Sequence, residues 1–203
     1  MSHQDRLKWN EKYRAGAYAE RNHPTELLAD WVPQVKHGRA LDVACGAGRN
    51  SLFLAARGFV VDGVDISGAG LERAQKRAEA QGVEVHWIEA DLEADAASVL
   101  PPGPYDLIVM VRYVNPSLYP LLLERLAGNG IFLCEEHLES DEDVIGPKNP
   151  SYRLARNELR RSVTAVAKRD DEVLYHHEGR VTDPDGRDAA LAQLVLRRHP
   201  SGD

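Results

Sequence analysis

Apolar and polar positions alternate with two different periods along most of the chain. Several runs have the length and apolar content of strands, and the stretches between them carry apolar residues at helical spacing. Strands that alternate with helices predict a parallel sheet covered on both faces. The almost wholly apolar run 105–111 predicts a central strand, whereas the alternating run 83–88 predicts a strand nearer an edge. The other predicted strands of this part are residues 40–44, 59–65 and 131–134.

Helices are predicted between these strands and before the first of them. Ser67 and Gly82 have the residue types that begin and end a helix between the second and third strands. Pro33 limits a short helix that Thr25 can cap. The predicted helices of this part are residues 5–15, 26–32, 50–57, 67–82 and 117–127.

The last third of the chain follows a different pattern. Residues 154–162 predict a helix, and residues 172–177 and 189–196 predict two strands. The turn-rich segment 182–186 joins the two strands, so they are predicted to be antiparallel. Together these elements predict an α/β fold: a doubly wound, mostly parallel seven-stranded sheet with an antiparallel C-terminal strand, in a single domain over residues 1–203.

Composition and charge narrow the classes of function. The chain has 43% hydrophobic residues and a formal charge of 25 − 32 = −7, which suits a full core and disfavours a nucleic-acid substrate. No apolar run approaches the roughly 18 residues that cross a membrane, and Met1–Asp5 begin no signal peptide. Cys45 and Cys134 form no CxxC pair, which disfavours disulfides and a structural metal site. We therefore expect a cytoplasmic protein with no membrane contact and no metal.

A small-residue loop after the first strand carries the candidate ligand chemistry. Gly46 and Gly48 leave room for a ligand to approach the backbone, and Asp65 ends the neighbouring strand. In open parallel sheets, ligands bind at the carboxyl ends of the strands. A carboxylate there can accept hydrogen bonds from both hydroxyls of a ribose, and Asp91 could reach the base of the same nucleoside. Since a strand-end acid that faces a cleft supports no core, we expect Asp65 to add little to stability.

A dinucleotide site fits the same loop less well. The dinucleotide fingerprint is GxGxxG, and Ser51 stands where its third glycine would be. A pyrophosphate is also disfavoured by Asp42, which lies just before the loop. An acid at that position suits a ligand with a cationic amino group. S-adenosylmethionine has such a group, and a sulfonium as well.

The segment Leu41–Gly48 resembles the first motif of class I S-adenosylmethionine-dependent methyltransferases. Its continuation, Gly48–Ala55, is similar to the small tellurite-resistance methyltransferases and their relatives. The usual first glycine of the family's GxGxG is Ala44 here. Residues 111–116 and Glu135-Glu136-His137 look unlike the tellurite enzymes and resemble other small methyltransferases. Looser similarity to the tellurite group extends to Lys12-Tyr13, His23–Leu28, Asn157–Leu159 and the tail 185–198.

This resemblance implies the cofactor S-adenosyl-L-methionine, with S-adenosyl-L-homocysteine as product. It implies a helical lid over residues 1–37, a cofactor-binding half over 38–137 and a substrate-side half over 138–203. Asp65 would hold the ribose, Asp91 would accept a hydrogen bond from the adenine amino group, and Val111 would line the methyl-transfer end. Residues implied around the methionine moiety and adenine are Asp42, Ala44, Gly46, Gly48, Arg49, Asn50, Ile66 and Leu92.

Residues just past the fourth and fifth strands are the candidates for the acceptor side. Arg112 and Tyr113 end a buried strand, and Glu136 and His137 end the next one. We expect these four side chains to serve catalysis, as acid–base groups or as partners of a polar acceptor. The alternative for Glu136 and His137 is a solvated loop start. Tyr13 is interpreted first as a packing partner of Trp9.

Several functions remain open at this stage. The leading hypothesis is an enzyme that methylates a small-molecule acceptor, such as a thiol, a chalcogen oxyanion or another polar metabolite. A methyltransferase of RNA or protein is the second, although the chain has no obvious basic stripe and no Asn-Pro-Pro-aromatic signature after the fourth strand. A nucleotide-dependent oxidoreductase and a non-catalytic cofactor-binding relative are further alternatives. The protein could be a monomer or a homodimer.

Overall fold

A computed structural model describes residues 3–200 of the chain. Residues 1, 2 and 201–203, which the predicted domain 1–203 includes, lie outside this range. The helices are α1 (His3–Arg14), α2 (Glu26–Trp31), α3 (Arg49–Ala55), α4 (Gly68–Gln81), α5 (Leu92–Val99), α6 (Tyr119–Glu124) and α7 (Glu158–Thr164). The strands are β1 (Arg39–Val43), β2 (Val60–Asp65), β3 (His86–Glu89), β4 (Tyr105–Val111), β5 (Leu126–His137), β6 (Glu172–Thr182) and β7 (Asp188–Arg197). Short 3₁₀ turns lie at Val32–Gln34, Pro116–Leu118 and Pro150–Tyr152.

The strands form a seven-stranded sheet in the order β3-β2-β1-β4-β5-β7-β6. Strands β1, β2 and β3 pair in parallel, as do β4 and β5. Strand β7 runs antiparallel to both β5 and β6. This topology confirms the predicted α/β fold, with β4 central and β3 at an edge. No helix within residues 3–200 has the length and apolar character of a membrane span.

The chain divides into two compact units. The first unit comprises the residues up to Pro24 and His37–Pro102, and it contains β1, β2 and β3. The second comprises Thr25–Lys36 and the residues from Gly103 onward, and it contains β4 to β7. The predicted lid 1–37 is thus divided between the units, and the main break falls at 102/103 rather than at 137/138. A single functional domain stays a prediction.

Local sequence rules account for helix α4 at both ends. The Ser67 hydroxyl accepts a hydrogen bond from the Gly70 N–H, as an N-cap does, and Gly82 ends the helix in a left-handed conformation. The helix buries Leu71, Ala74 and Ala78, as their spacing predicts. These residues fix how the element that follows β2 packs in the first unit.

Other element bounds differ from the prediction, and each difference has a local reason. Helix α5 was not predicted, because Glu93–Ser98 offer no apolar periodicity. It begins at Leu92, and the carboxylate of its N-cap Asp91 accepts the Glu93 N–H at 3.0 Å. The helix predicted over 117–127 ends at Glu124. Strand β5 begins at Leu126 and runs through Gly128-Asn129-Gly130, expected to precede the strand. There the pairing with β4 jumps from Leu126 to Ile131.

The cap of α4 gives a test of this local account. Ser67 also donates to Asn10 Oδ1 at 2.8 Å. We expect Ser67→Ala to lower the free energy of unfolding by about 1 kcal/mol, because an N–H of the first turn loses its acceptor. Urea unfolding measures this change. Ser98→Ala, at an exposed serine of α5, should stay within about 0.5 kcal/mol of the wild type; equal losses in both variants would contradict the capping role.

Candidate functional site

The loop between β1 and α3 has an unusual backbone conformation. Ala44, Gly46 and Gly48 have φ angles of +55°, +58° and +76°. Left-handed conformations of this kind cost an L-residue with a side chain roughly 1–2 kcal/mol. The left-handed backbone at Ala44 explains why the family motif usually has glycine there. Alanine adopts the same conformation here at a cost in conformational energy. The loop places consecutive peptide groups at the carboxyl end of β1.

The carboxylate of Asp65 organises this loop. Asp65 Oδ2 accepts the N–H of Gly46 at 2.8 Å, and Asp65 Oδ1 accepts the N–H of Ser67 at 2.8 Å. Burial raises the pKa of Asp65 to about 6, against the effect of these backbone hydrogen bonds. The Asp65 carboxylate thus joins the small-residue loop to the start of α4, and its small effect on stability stays a prediction.

Asp42 lies beneath the loop and not at its surface. Its side chain is 1% exposed, and Asp42 Oδ2 accepts the Ser51 hydroxyl at 2.5 Å. Burial raises the pKa of Asp42 to about 7, and the hydrogen bond from Ser51 offsets only part of this. Ser51, which argued against a dinucleotide site, is thus the partner of Asp42. The contact of Asp42 with a methionine moiety stays a prediction.

Two aromatic side chains border the glycines of the loop. A Cβ at Gly46 would overlap the Tyr13 hydroxyl of α1, and a Cβ at Gly48 would lie 2.6 Å from the Trp87 ring of β3. Burial and the charge of Asp65 raise the pKa of Tyr13 well above its usual value. Tyr13 also lies near Trp9, with ring centroids 6.2 Å apart, so it both packs and reaches the loop. Trp87 was not predicted as a site residue, because it lies far along the chain from Gly48.

The other predicted cofactor residues lie in both units. Arg49 begins α3 and donates to the carbonyl of His23 at 3.3 Å. Asn50 is buried, and so are Ile66 and Leu92, next to Asp65 and Asp91. Asp91 is half-buried and caps α5. Val111 ends β4 in the second unit.

Arg112 is part of a buried ion-pair network in the second unit. Its guanidinium donates two hydrogen bonds to the Asp183 carboxylate, one of them at 2.9 Å, and its Nε lies 3.5 Å from Glu135 Oε1. Burial alone would lower the pKa of Arg112, but Asp183 and Glu135 raise it. Arg112 also has a left-handed φ of +58°. The catalytic role of Arg112 stays a prediction. Its guanidinium is bound to Asp183 and Glu135 and so has a structural role in the second unit.

Glu135 anchors the rest of this network. Glu135 Oε2 accepts the Thr25 hydroxyl at 2.6 Å and Gln193 Nε2 at 2.8 Å. Gln193 Oε1 in turn accepts the Tyr175 hydroxyl at 3.3 Å. The network therefore joins α2, β5, β6, β7 and the end of β4 within one unit. Asp183 and Gln193 were not predicted, because a turn aspartate and a strand glutamine carry no local signal of a distant partner.

Glu136 points to the opposite face of β5 and is fully buried. Its Oε1 lies 3.7 Å from Cys134 Sγ, which lies 4.0 Å from the Tyr119 hydroxyl. Its Oε2 has no hydrogen-bond partner within residues 3–200. Burial, with the charge of Glu135, raises the pKa of Glu136 well above its usual value. The alternative of a solvated loop start is therefore wrong for Glu136, whose side chain lies in the interior.

Tyr113 and His137, the remaining acceptor-side candidates, are half-buried. The Tyr113 hydroxyl accepts from Asn115 Nδ2 at 3.4 Å. A Cβ at Gly146 would lie 3.0 Å from His137 Nδ1, so the imidazole packs against the segment that follows β5. Their roles stay predictions. No cluster of three or more His, Cys, Asp or Glu side chains suited to a metal ion occurs among residues 3–200.

Comparison with known proteins matches residues 40–128 to the family model described as "Methyltransferase domain". Residues 40–128, which are less than half of the chain, are similar to this family. The match contains the loop, Asp65 and Asp91, and together with the fold it confirms the resemblance to class I methyltransferases. Most of β5 and all of the C-terminal part of the chain lie outside the match.

Relatives of the methyltransferase domain have different acceptors in their names. The chain is 37% identical over 82 residues to the ubiquinone biosynthesis O-methyltransferase of Saccharophagus degradans, covering 40% of this chain and 34% of that one. It is 33% identical over 90 residues to the tRNA1(Val) (adenine(37)-N6)-methyltransferase of Yersinia pestis, covering 41% and 35%. The matched segments thus span about a third of these curated relatives.

Solved structures share the fold over a longer part of the chain. TehB from Haemophilus influenzae superposes with a TM-score of 0.72 at 24% identity, covering 93% of this chain and 67% of that one. At this identity the likeness shows the fold. Methyltransferases of similar fold have been solved with bound S-adenosylhomocysteine.

The raised pKa of Asp42 predicts a pH-dependent stability of the methyltransferase domain. An unfolded aspartate ionises near pH about 4, whereas buried Asp42 ionises near 7. Stability linked to Asp42 is thus greatest below about pH 4 and falls as the pH rises through 7. We expect Asp42→Asn to gain on the wild type by on the order of 4 kcal/mol across this window, since one pKa unit corresponds to about 1.4 kcal/mol; urea unfolding measures this gain. Ser51→Ala should extend the fall to higher pH, and a pH-independent difference for Asp42→Asn would contradict the assignment.

Substitution by glutamine is expected to lower the free energy of unfolding by different amounts at the neighbouring residues Glu135 and Glu136. Glu135→Gln weakens a network around Arg112 and should lower the free energy of unfolding by about 1.5–3 kcal/mol. Glu136→Gln replaces a carboxyl group whose pKa is raised by burial with an amide of similar shape, and it should cost less than about 1 kcal/mol. Urea unfolding near neutral pH compares the two variants. A larger loss in Glu136→Gln than in Glu135→Gln would show that Glu136 is the charged partner.

Proposed function

We propose that this protein is an S-adenosylmethionine-dependent methyltransferase that acts on a small-molecule acceptor. The observation that carries the proposal is the position of the Asp65 carboxylate, which ends β2 and holds the Gly46 N–H of the left-handed loop. The same loop lies within the part of the chain that matches the methyltransferase-domain model.

The residues around the loop fit the chemical groups of this cofactor. Each Asp65 oxygen accepts one backbone N–H, and a carboxylate oxygen has a second lone pair that can accept from a ribose hydroxyl. The Tyr13 hydroxyl lies where a Cβ of Gly46 would stand, so it covers the backbone there and could contact the cofactor. Buried Ile66 and Leu92 supply apolar contacts for adenine. Asp91 could accept a hydrogen bond from its amino group.

Bound S-adenosylmethionine supplies a methyl group on a sulfonium, which is an already activated leaving group. The protein therefore has to orient the reactants and exclude water. Orientation of this kind supplies roughly 7–11 kcal/mol in favourable cases. Asp65 and the loop fix one end of the cofactor, and the Tyr13 ring and α1 cover the loop. Where the acceptor carries a proton, half-buried Tyr113 and His137 are the candidates to receive it.

The small-molecule acceptor is favoured by charge. The net charge of −7 opposes the phosphate backbone of a nucleic acid. Arg112, a cation of the candidate acceptor side, is neutralised by Asp183 and Glu135. The match to a tRNA methyltransferase is the observation that favours RNA as the second candidate. A labelled methyl group from S-adenosylmethionine, offered with thiol, oxyanion, amine and tRNA acceptors, would distinguish the two.

Cofactor binding is tested by calorimetry with S-adenosylhomocysteine. We expect the wild type to bind it and to bind no NAD. Asp65→Asn should weaken S-adenosylhomocysteine at least about tenfold, because hydrogen bonds to a charged acceptor contribute about 1.5–3 kcal/mol. Asp62→Asn is the matched control: Asp62 is buried on the same strand and binds Arg39 and His86 at 2.9 and 2.8 Å.

The control separates lost binding from lost folding. Both variants replace a buried carboxylate that accepts hydrogen bonds, so both should melt at lower temperature than the wild type. Only Asp65→Asn should lose affinity beyond what its folded fraction explains. Equal affinities in the two variants would place the ribose elsewhere, and tight NAD binding without S-adenosylhomocysteine binding would refute the methyltransferase assignment.

A further inference from the structure

Strand β6 is a long edge strand in the second unit. It covers Glu172–Thr182, pairs with β7 on one side, and stands at the end of the strand order. No strand within residues 3–200 pairs with its other side. An edge strand presents a row of main-chain N–H and C=O groups that can pair with another strand. The pairing with β7 is irregular between Val173 and Tyr175, which leaves residues 175–182 as the regular part of this edge.

The geometry of an antiparallel pair restricts how this edge can pair with a second copy of itself. Along a strand, the N–H and C=O of one residue point to one edge, and those of the next residue point to the other edge. Only every second residue of β6 therefore faces outward. Two copies can exchange hydrogen bonds only when residues of the outward-facing set oppose one another. The two-fold axis that relates the copies must therefore pass through a residue and not between two residues. An axis near the middle of the regular edge pairs most of residues 175–182 with the second copy. The axes that do so pass through Glu178, Gly179 or Arg180.

Charge separates these three registers. An axis through Glu178 places two glutamates opposite each other, and an axis through Arg180 does the same with two arginines. Like charges directly opposite in a sheet are destabilising. An axis through Gly179 instead places Glu178 of one copy opposite Arg180 of the other, twice per pair of copies. In the same register His177 opposes Val181, and His176 opposes Thr182.

We propose that the protein forms a two-fold symmetric homodimer through β6, with the axis at Gly179 and reciprocal Glu178–Arg180 ion pairs. This proposal does not depend on the proposed function. Main-chain hydrogen bonds between the two edges supply the attraction, as in strand addition, and the ion pairs fix the register. The dimer closes after two copies, because the symmetric contact uses the same edge of each.

The side chains of this register have contacts that leave them able to pair. Arg180 is exposed and binds Asp188 and Glu142 of its own chain, which holds the side chain beside the strand. The Glu178 side chain is 8% exposed; its Oε1 accepts the Asn157 N–H at 2.7 Å and lies 3.6 Å from His176 Nε2. Since a guanidinium has five N–H donors and a carboxylate about four acceptor sites, both groups can take a further partner. Gly179 brings no side chain to the axis, where the two backbones approach most closely.

Two charge-reversal variants test the register. In the homodimer, Arg180→Glu places the introduced glutamate opposite Glu178, and Glu178→Arg places the introduced arginine opposite Arg180. Sedimentation velocity should show the wild type as a dimer over a concentration series and each variant as a monomer. A mixture of the two variants should form a heterodimer, because every opposed pair then joins a glutamate to an arginine. The doubly substituted chain should again form a homodimer.

A matched control lies on the same strand outside the regular edge. Glu172→Arg changes the charge as much as Glu178→Arg does, at an exposed residue before the irregularity, and it should leave the dimer intact. Circular dichroism checks that each variant is folded. A wild type that stays monomeric throughout the series would overturn the proposal. A dimer that persists in both single variants, or no heterodimer in the mixture, would overturn the Gly179 register.

Discussion

A buried carboxylate must be surrounded by hydrogen-bond donors, and in the first unit Asp65 obtains them from the backbone. The N–H groups of Gly46 and Ser67 both point at it, so the loop after β1 and the start of α4 are held by one side chain. Ala44 and Gly48 adopt left-handed conformations. These conformations let the loop connect β1 to α3 while the Gly46 N–H points at Asp65. The shape of the candidate site thus follows from solvating one charge.

The second unit has its own buried charges, arranged by a different rule. Arg112 is surrounded by acids from β5 and from the turn before β7, and Glu135 accepts hydrogen bonds in turn from Thr25 and Gln193. Each group neutralises or satisfies the next, which makes burial of the whole set tolerable. On the opposite face of β5, burial raises the pKa of Glu136 well above its usual value, and the charge of Arg112 offsets only part of this.

Much of the fold follows from local patterns in the sequence. Strand β4 was predicted to the residue, and Ser67 and Gly82 bound α4 as their residue types require. The positions of Gly46, Gly48 and Asp65 relative to the strands are likewise local information. The partners of Arg112 and Glu135 are not, since Asp183 lies 71 residues from Arg112 and Gln193 lies 58 from Glu135. Which faces of β5 are buried also depends on elements that no nearby residue specifies.

The position of Tyr13 has a consequence for the rate at which a ligand can enter. Helix α1 has no fully buried residue, whereas the loop that its tyrosine touches rests on a buried core. A helix with no fully buried residue is expected to open at less than the free energy that unfolds the whole unit. Access to the face of Gly46 would then be governed by the fraying of one peripheral helix. The amides of α1 would exchange with solvent far sooner than those of β1 and β2.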